Sequence, residues 1–124
     1  MRLYTGGAVD YAAGGGHAWR HAFGVDVQVY CPICAAADYD TDIDIMRSNQ
    51  QALMGADRAV FLLDGTFTIG TPVEIEIWSR LRDPRLAAIV HPDKPGLFVR
   101  QWHRDGFHVV RSMGEAVEWL RQSA

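Results

Sequence analysis

The sequence AVFLLDGTFTIGTPVE, from Ala59 to Glu74, is the stretch that decides the fold class. Its first five residues are continuously apolar, as expected of a parallel strand that is covered on both faces. Thr71, Pro72 and Glu74 then predict the start of a helix, because they supply a cap residue, a first-turn proline and an acid three residues after the cap. The stretch therefore predicts a strand, a long connection and a helix.

Other apolar segments predict further strands, which are Arg2 to Thr5, Val25 to Cys31, Leu86 to His91 and a less regular one within Leu97 to Val110. The strand in the middle of the chain is expected over Ala59 to Leu63. Helix signals fill the intervals between these strands, and no internal repeat or linker interrupts them.

Three more helices are predicted from their starting signals. Thr41 and Asp44 form a near capping box for a helix from Thr41 to Gly55, and Ser112 with Glu115 forms another before a last helix that runs through Leu120. A short helix that carries Trp19 and Phe23 follows the glycine-rich residues 14–16. The alternation predicts one doubly wound, Rossmann-like or flavodoxin-like α/β domain over residues 1–124, with about five mostly parallel strands and helices on both faces.

Composition limits the classes of function. The 124 residues are 48% hydrophobic and 22% charged, with a formal net charge of -3. This balance has no basic excess for a nucleic acid polymer or an anionic membrane, and no apolar run is long enough to span a bilayer. We therefore expect a cytoplasmic protein that takes a small-molecule partner and uses no cofactor.

Cys31 and Cys34 form a C-x-x-C motif directly after a predicted strand. A thioredoxin-like motif should open a helix, so the sequence favours two incidental thiols and no metal site. His17 and His21, spaced i, i+4 on a predicted helix, leave open a four-ligand zinc set, and the thiol pair leaves open a redox function.

Ligands of doubly wound sheets bind at the carboxyl ends of the strands. Three predicted segments converge there: the turn from Tyr4 to Asp10, the helix with Asn49, and the connection from Asp64 to Glu74. The last is longer than the roughly two to six residues that usually join a strand to a helix, and long connections often hold ligands.

Three motifs in order carry a resemblance to a known family. Tyr4, Gly7 and Val9 fit the pattern Tyr-x-x-Gly-x-Val, residues 56–60 read ADRAV, and Gly70 stands four residues before Glu74. In their order and spacing these motifs resemble the nucleoside 2-deoxyribosyltransferases and the related nucleotide N-glycosidases. The resemblance extends from residue 2 to about residue 91.

The resemblance implies an enzyme that cleaves or transfers at the N-glycosidic bond of a nucleoside or nucleotide. It assigns Glu74 as the nucleophile, Tyr4 as the group that orients it and Asn49 as the third catalytic position. Thr68 and Gly70 would line the 5′ end of the sugar, and Gly7, Asp10 and Asp64 are further substrate-binding candidates. It also implies a homodimer or larger homo-oligomer, for which Phe98 and Trp102 are candidate contacts.

Two departures from the family pattern limit these assignments. Asn49 stands where the family usually has an aspartate, and an amide cannot act as a general acid. Ala8 and Asp10 stand where the nucleotide-hydrolysing relatives have a serine and an arginine that bind phosphate, and an aspartate there would repel it. We therefore expect a nucleoside substrate, and Asn49 leaves open a catalytically inactive binding module of the same fold.

The residues taken alone also allow structural roles. Glu74 fits a helix capping box, Tyr4 fits a core aromatic residue, and Asp64 fits a turn residue at the end of a strand. The structure has to separate these alternatives.

Overall fold

A five-stranded sheet forms the centre of the protein in a computed structural model that describes residues 1–9, 12–24, 26–32, 34 and 41–123. The strands are β1 (Arg2–Gly6), β2 (Gln28–Tyr30), β3 (Arg58–Leu62), β4 (Ala87–Val90) and β5 (His108–Val110). All pairings are parallel, in the order β2-β1-β3-β4-β5. The predicted α/β doubly wound class is confirmed, with the flavodoxin-like strand order.

The helices of the described chain are α1 (His17–Arg20), α2 (Asp42–Gly55), α3 (Gly70–Leu81), α4 (Leu97–Asp105) and α5 (Met113–Ser123). Two short 3-10 turns, Ala13–Gly16 and Pro84–Leu86, precede α1 and β4. None of the helices in the described ranges combines the length and apolar character that crossing a bilayer requires.

The sheet separates two apolar cores because successive strand residues point to opposite faces. Tyr4, Ala59 and Phe61 pack with residues of α2, α3 and α4 on one face. Leu3 and Val60 pack on the other face with α5 and with the segment that includes Trp19 and Phe23. Helices therefore cover both faces, and this arrangement leaves the carboxyl edge of the sheet accessible.

The predicted starts of two helices are confirmed by hydrogen bonds. The amide of Asp44 donates to the Thr41 hydroxyl at 3.2 Å, and the amide of Glu115 donates to the Ser112 hydroxyl at 3.2 Å. The Glu115 carboxylate in turn accepts from the amide of Arg111 at 2.7 Å. Backbone N–H groups at both helix starts, which have no acceptor within the helix, therefore donate to side chains.

The prediction of one strand within Leu97 to Val110 was wrong for most of that segment. Leu97–Asp105 is α4, Gly106 ends it with a φ of 117°, and only His108–Val110 forms a strand. Trp102 is 5% exposed, and its indole N–H donates to the Glu76 carboxylate at 2.7 Å. Trp102 therefore belongs to the core and does not offer the exposed surface that the predicted contact between subunits requires, whereas Phe98 is 71% exposed.

Candidate active site

A cavity of about 450 Å³ opens at the carboxyl edge of the sheet. Its walls come from segments after β1, β2 and β3 and from α2 and α3, at Gly7, Val9, Pro32, Met46, Asn49, Phe67, Thr68, Ile69, Gly70, Thr71 and Glu74. The chain passes from β1 to β2 on one side and returns to β3 on the other side of β1. The cavity therefore lies at the switch point where ligands of such sheets bind.

Glu74 and Tyr4 are hydrogen-bonded partners at the base of this cavity. Glu74 lies in the second turn of α3, and its carboxylate accepts the hydroxyl hydrogen of Tyr4. Tyr4 is fully buried in the middle of β1, so its ring has little freedom to move. The strand and the helix start therefore hold the carboxylate in one orientation, with an edge toward the cavity.

Glu74 does not form the capping box that the sequence allowed. The helix begins at Gly70, one residue before Thr71, and Ile69 at the cap position makes no side-chain cap bond. The amide of Thr71 donates instead to the Thr68 hydroxyl at 3.3 Å. The Glu74 carboxylate is thus directed to Tyr4 and the cavity, whereas Thr68 serves the helix start.

Burial changes the acid–base properties of this pair. Removal from water raises the pKa of Glu74 to about 7, against the lowering effects of the Tyr4 hydrogen bond and of the Arg20 charge. Burial also raises the pKa of Tyr4, and the negative charge of Glu74 raises it further. Tyr4 therefore stays protonated as a donor, while Glu74 is divided between its acid and its anion near neutral pH.

Asn49 lines the same cavity and is hydrogen-bonded to a second tyrosine, Tyr30, which the sequence analysis did not assign to the site. The Tyr30 hydroxyl donates to Asn49 Oδ1 at 2.6 Å and lies 3.0 Å from the Ser48 hydroxyl. The Tyr30 and Tyr4 rings stack at a centroid distance of 5.6 Å, since the two residues pair across β1 and β2. The sequence signal for Tyr30 was its position opposite Tyr4 in two neighbouring parallel strands.

Arg20 is another residue that sequence reasoning missed. It is completely buried, and its Nη2 donates to the carbonyl of Gly7 at 3.0 Å. Burial lowers its pKa, whereas the anionic forms of Cys31, Tyr4 and Glu74 raise it. In the described part of the chain its Nε and Nη1 have no hydrogen-bond partner. An arginine between two histidines carries no sequence signal of such burial.

The remaining predicted positions divide into three groups. Gly7, Thr68 and Gly70 line the cavity beside Glu74, and a side chain at Gly7 would come within 2.8 Å of the Trp19 ring. Asp64 does not line it; this carboxylate accepts from the amide of Thr66 at 3.0 Å and borders a separate depression. Asp10 lies outside the described residues.

No known sequence family and no characterised protein matches the chain by sequence. Solved structures do match it. A conserved protein from Enterococcus faecalis V583 superposes with a TM-score of 0.75 at 15% identity, over 100% of this chain and 99% of that one. A 2-deoxyribosyltransferase from Bacillus psychrosaccharolyticus superposes with a TM-score of 0.72 at 12% identity, over 94% and 90% of the two chains.

The fold is that of a 2-deoxyribosyltransferase. A CMP N-glycosidase from Clostridium botulinum also matches, with a TM-score of 0.52 at 15% identity over 98% of this chain and 99% of that one. The resemblance inferred from the sequence motifs is thereby confirmed for the fold. At these identities the likeness concerns the backbone, so the chemistry must be argued from the cavity itself.

Proposed function

We propose that this protein cleaves or transfers at the N-glycosidic bond of a nucleoside, with Glu74 as the nucleophile. The observation that carries the proposal is the Glu74 carboxylate, bonded to the Tyr4 hydroxyl and exposed to a cavity at the switch point of the sheet. The fold shared with a 2-deoxyribosyltransferase and a CMP N-glycosidase supports the same class of reaction.

The chemistry requires an anion beneath the anomeric carbon of the sugar. The glycosidic transition state resembles an oxocarbenium ion, which a carboxylate stabilises before it forms a covalent glycosyl-enzyme. The bond from C1′ to the base breaks as the bond from C1′ to the Glu74 oxygen forms, and the base leaves with the electron pair. Water then releases the free sugar, or an acceptor base regenerates a nucleoside.

Tyr4 would orient the nucleophile rather than touch the base. Its hydroxyl donates to one oxygen of Glu74 and lowers the pKa of that carboxyl against the effect of burial. This bond leaves the second oxygen of Glu74, which lies near Gly70, for the sugar. Thr68 and Gly70, at the start of α3, would bind the 5′ end of the sugar by a hydroxyl and a backbone N–H.

The apolar side of the cavity suits a flat base. Met46, Phe67 and Ile69 contribute to its lining and are largely exposed at its mouth. Asn49 has an amide that can hydrogen-bond a base edge, while its Oδ1 accepts from Tyr30. We infer a nucleoside rather than a nucleotide because Asp10, not an arginine, occupies the position that the resemblance associates with phosphate.

A panel of nucleosides tests the proposal. The protein is incubated with ribo- and deoxyribonucleosides and their monophosphates, with and without an acceptor base, and base release is followed by chromatography. Free base without acceptor identifies a hydrolase, and a new nucleoside that forms only with acceptor identifies a transferase. No turnover of any nucleoside or monophosphate would contradict the proposed activity.

A catalytically inactive nucleoside-binding module is the second candidate function, and Asn49 favours it. The amide cannot deliver a proton to a leaving base, and no described carboxyl other than Glu74 lines the cavity. Calorimetric binding of a nucleoside without turnover would identify this function.

We further propose that the protein works in the cytoplasm as a homo-oligomer. Sedimentation analysis would test the oligomeric state.

A further inference from the structure

Four metal-ligating side chains converge beside α1. His17 and His21 lie one above the other at the two ends of this helix, with ring centroids 4.4 Å apart. Cys31 and Cys34 follow β2, and the ligand atoms of all four residues lie within 4.8 Å of one another. The Cys34 sulfur is 3.4 Å from His17 Nε2 and 3.8 Å from His21 Nε2.

The two distances from the Cys34 sulfur are close to those between ligands of a tetrahedral metal site. With zinc–sulfur bonds of about 2.3 Å and zinc–nitrogen bonds of about 2.0 Å, a sulfur and a nitrogen ligand lie about 3.5 Å apart. Both measured distances from Cys34 lie close to that value. Two thiolates and two imidazoles fill four positions, which is the closed coordination typical of structural zinc.

We propose that His17, His21, Cys31 and Cys34 bind one structural zinc ion. Two incidental thiols, favoured by the sequence alone, do not account for two imidazoles that meet the same sulfur. A dithiol redox pair does not account for the burial either, since the first cysteine, which is usually the accessible one, is 5% exposed here while Cys34 is exposed.

The ion would hold one wall of the Glu74 cavity in place. It would join α1 to the segment after β2, and Pro32, next to Cys31, lines the cavity. Arg20 extends this connection to the turn after β1 through its bond to the Gly7 carbonyl. The proposed zinc therefore has a structural role and takes no part in the reaction.

Metal analysis of the untagged protein tests this proposal independently of any activity. The protein is purified with a reductant, and zinc is measured by mass spectrometry for the wild type, Cys34→Ser, His17→Gln and the control His103→Gln, which alters an exposed histidine of α4. We expect one zinc per chain in the wild type and the control, and a zinc content well below one per chain in the other two variants, because each has lost one of the four ligands.

Cobalt provides a readout that does not depend on the folding of a variant. The wild-type apoprotein, with two free thiols, is titrated with Co²⁺, and we expect the intense visible absorption of tetrahedral cobalt with a thiolate charge-transfer band, lost on addition of Zn²⁺. Wild-type protein that carries no zinc and gives only the pale spectrum of octahedral cobalt would overturn the proposal. Stoichiometric zinc in Cys34→Ser would overturn it as well.

Discussion

Two polar clusters lie at the same edge of the sheet, and they are built in different ways. We call Tyr4, Glu74, Tyr30 and Asn49 the carboxylate cluster, and His17, His21, Cys31 and Cys34 the thiol–imidazole cluster. The first stands on β1, β2, α2 and α3 and is held by direct hydrogen bonds and ring stacking. The second stands on the four-residue α1 and on the segment after β2, where Pro32 and Cys34 are helical.

The difference lies in what holds each cluster together. Buried elements of the sheet position the carboxylate cluster, so its geometry exists before any ligand binds, as catalysis by a preorganised site requires. The thiol–imidazole cluster is joined by long contacts from Cys34 to two exposed rings, and a short helix has little stability of its own. The proposed zinc ion would hold these four side chains together.

The largest effect that would separate the two clusters is expected from Glu74→Gln. The amide keeps the size of the side chain and can still accept from Tyr4, but it cannot form the glycosyl-enzyme, so kcat/KM should fall by about 10⁴-fold. The measurement is the rate of base release, with zinc content in parallel, which should not change. Glu118→Gln, an exposed change on α5, is the control. Activity within about tenfold of the wild type would remove Glu74 as nucleophile.

The same substitution should change stability in a pH-dependent way. Because the pKa of Glu74 in the folded state, about 7, is above the usual 4.5, the free energy of unfolding of the wild type falls as pH rises through this interval. Glu74→Gln lacks that penalty, so its advantage in the free energy of unfolding should grow by about 3 kcal/mol between pH 4 and pH 8. Urea unfolding measures it, and a difference that is constant with pH would contradict the burial of the charge.

Tyr4→Phe sharpens the comparison by removing one bond of the carboxylate cluster and leaving the ring stack. We expect kcat/KM to fall by about 30-fold. The wild-type pH profile should rise with ionisation of Glu74 around pH 7, and loss of the Tyr4 hydrogen bond, which lowers that pKa, should move the rise to higher pH. An unchanged midpoint would show that Tyr4 does not act on the carboxyl.

The smallest effect is expected from Asn49→Asp, which places a carboxyl group next to the Tyr30 hydroxyl. If protonation of the leaving base limits the reaction, this acid should raise turnover by about tenfold. Chromatographic rates for a purine and a pyrimidine nucleoside check it, with Ser48→Ala as a variant of the same hydrogen-bond group. A decrease in rate for both substrates would indicate that the amide is needed to hold the base.

The sequence predicted the elements in which local pattern and tertiary role agree. Continuous apolar runs such as residues 59–63 marked the buried strands, and Thr41 and Ser112 marked helix starts. The segment after Leu97 was predicted wrongly because it was taken as one element. Val99 and Trp102, three residues apart, indicated a helix face, and Gly106 indicated its end.

In the candidate site, the approach of Tyr4 to Glu74 was predicted from the family resemblance, whereas the residues taken alone favoured structural roles for both. Contacts that depend on how elements pack were not predictable in the same way. Tyr30 reaches Asn49 only because β2 and α2 meet beside β1, and Arg20 is buried on a helix whose other residues are mostly exposed. Asp64 follows β3, but its carboxylate accepts from the local amide of Thr66, which no spacing argument distinguishes from ligand binding.

The central claim is a bond between Glu74 and the anomeric carbon of a sugar. Mass spectrometry of the protein quenched during turnover, or after reaction with a 2-fluoro-substituted nucleoside that slows the second step, tests it most directly. The account predicts a mass increase equal to one sugar residue, located on the peptide that contains Glu74 and absent from Glu74→Gln. Turnover of a nucleoside with no sugar adduct on that peptide, or an adduct on another residue, would contradict it.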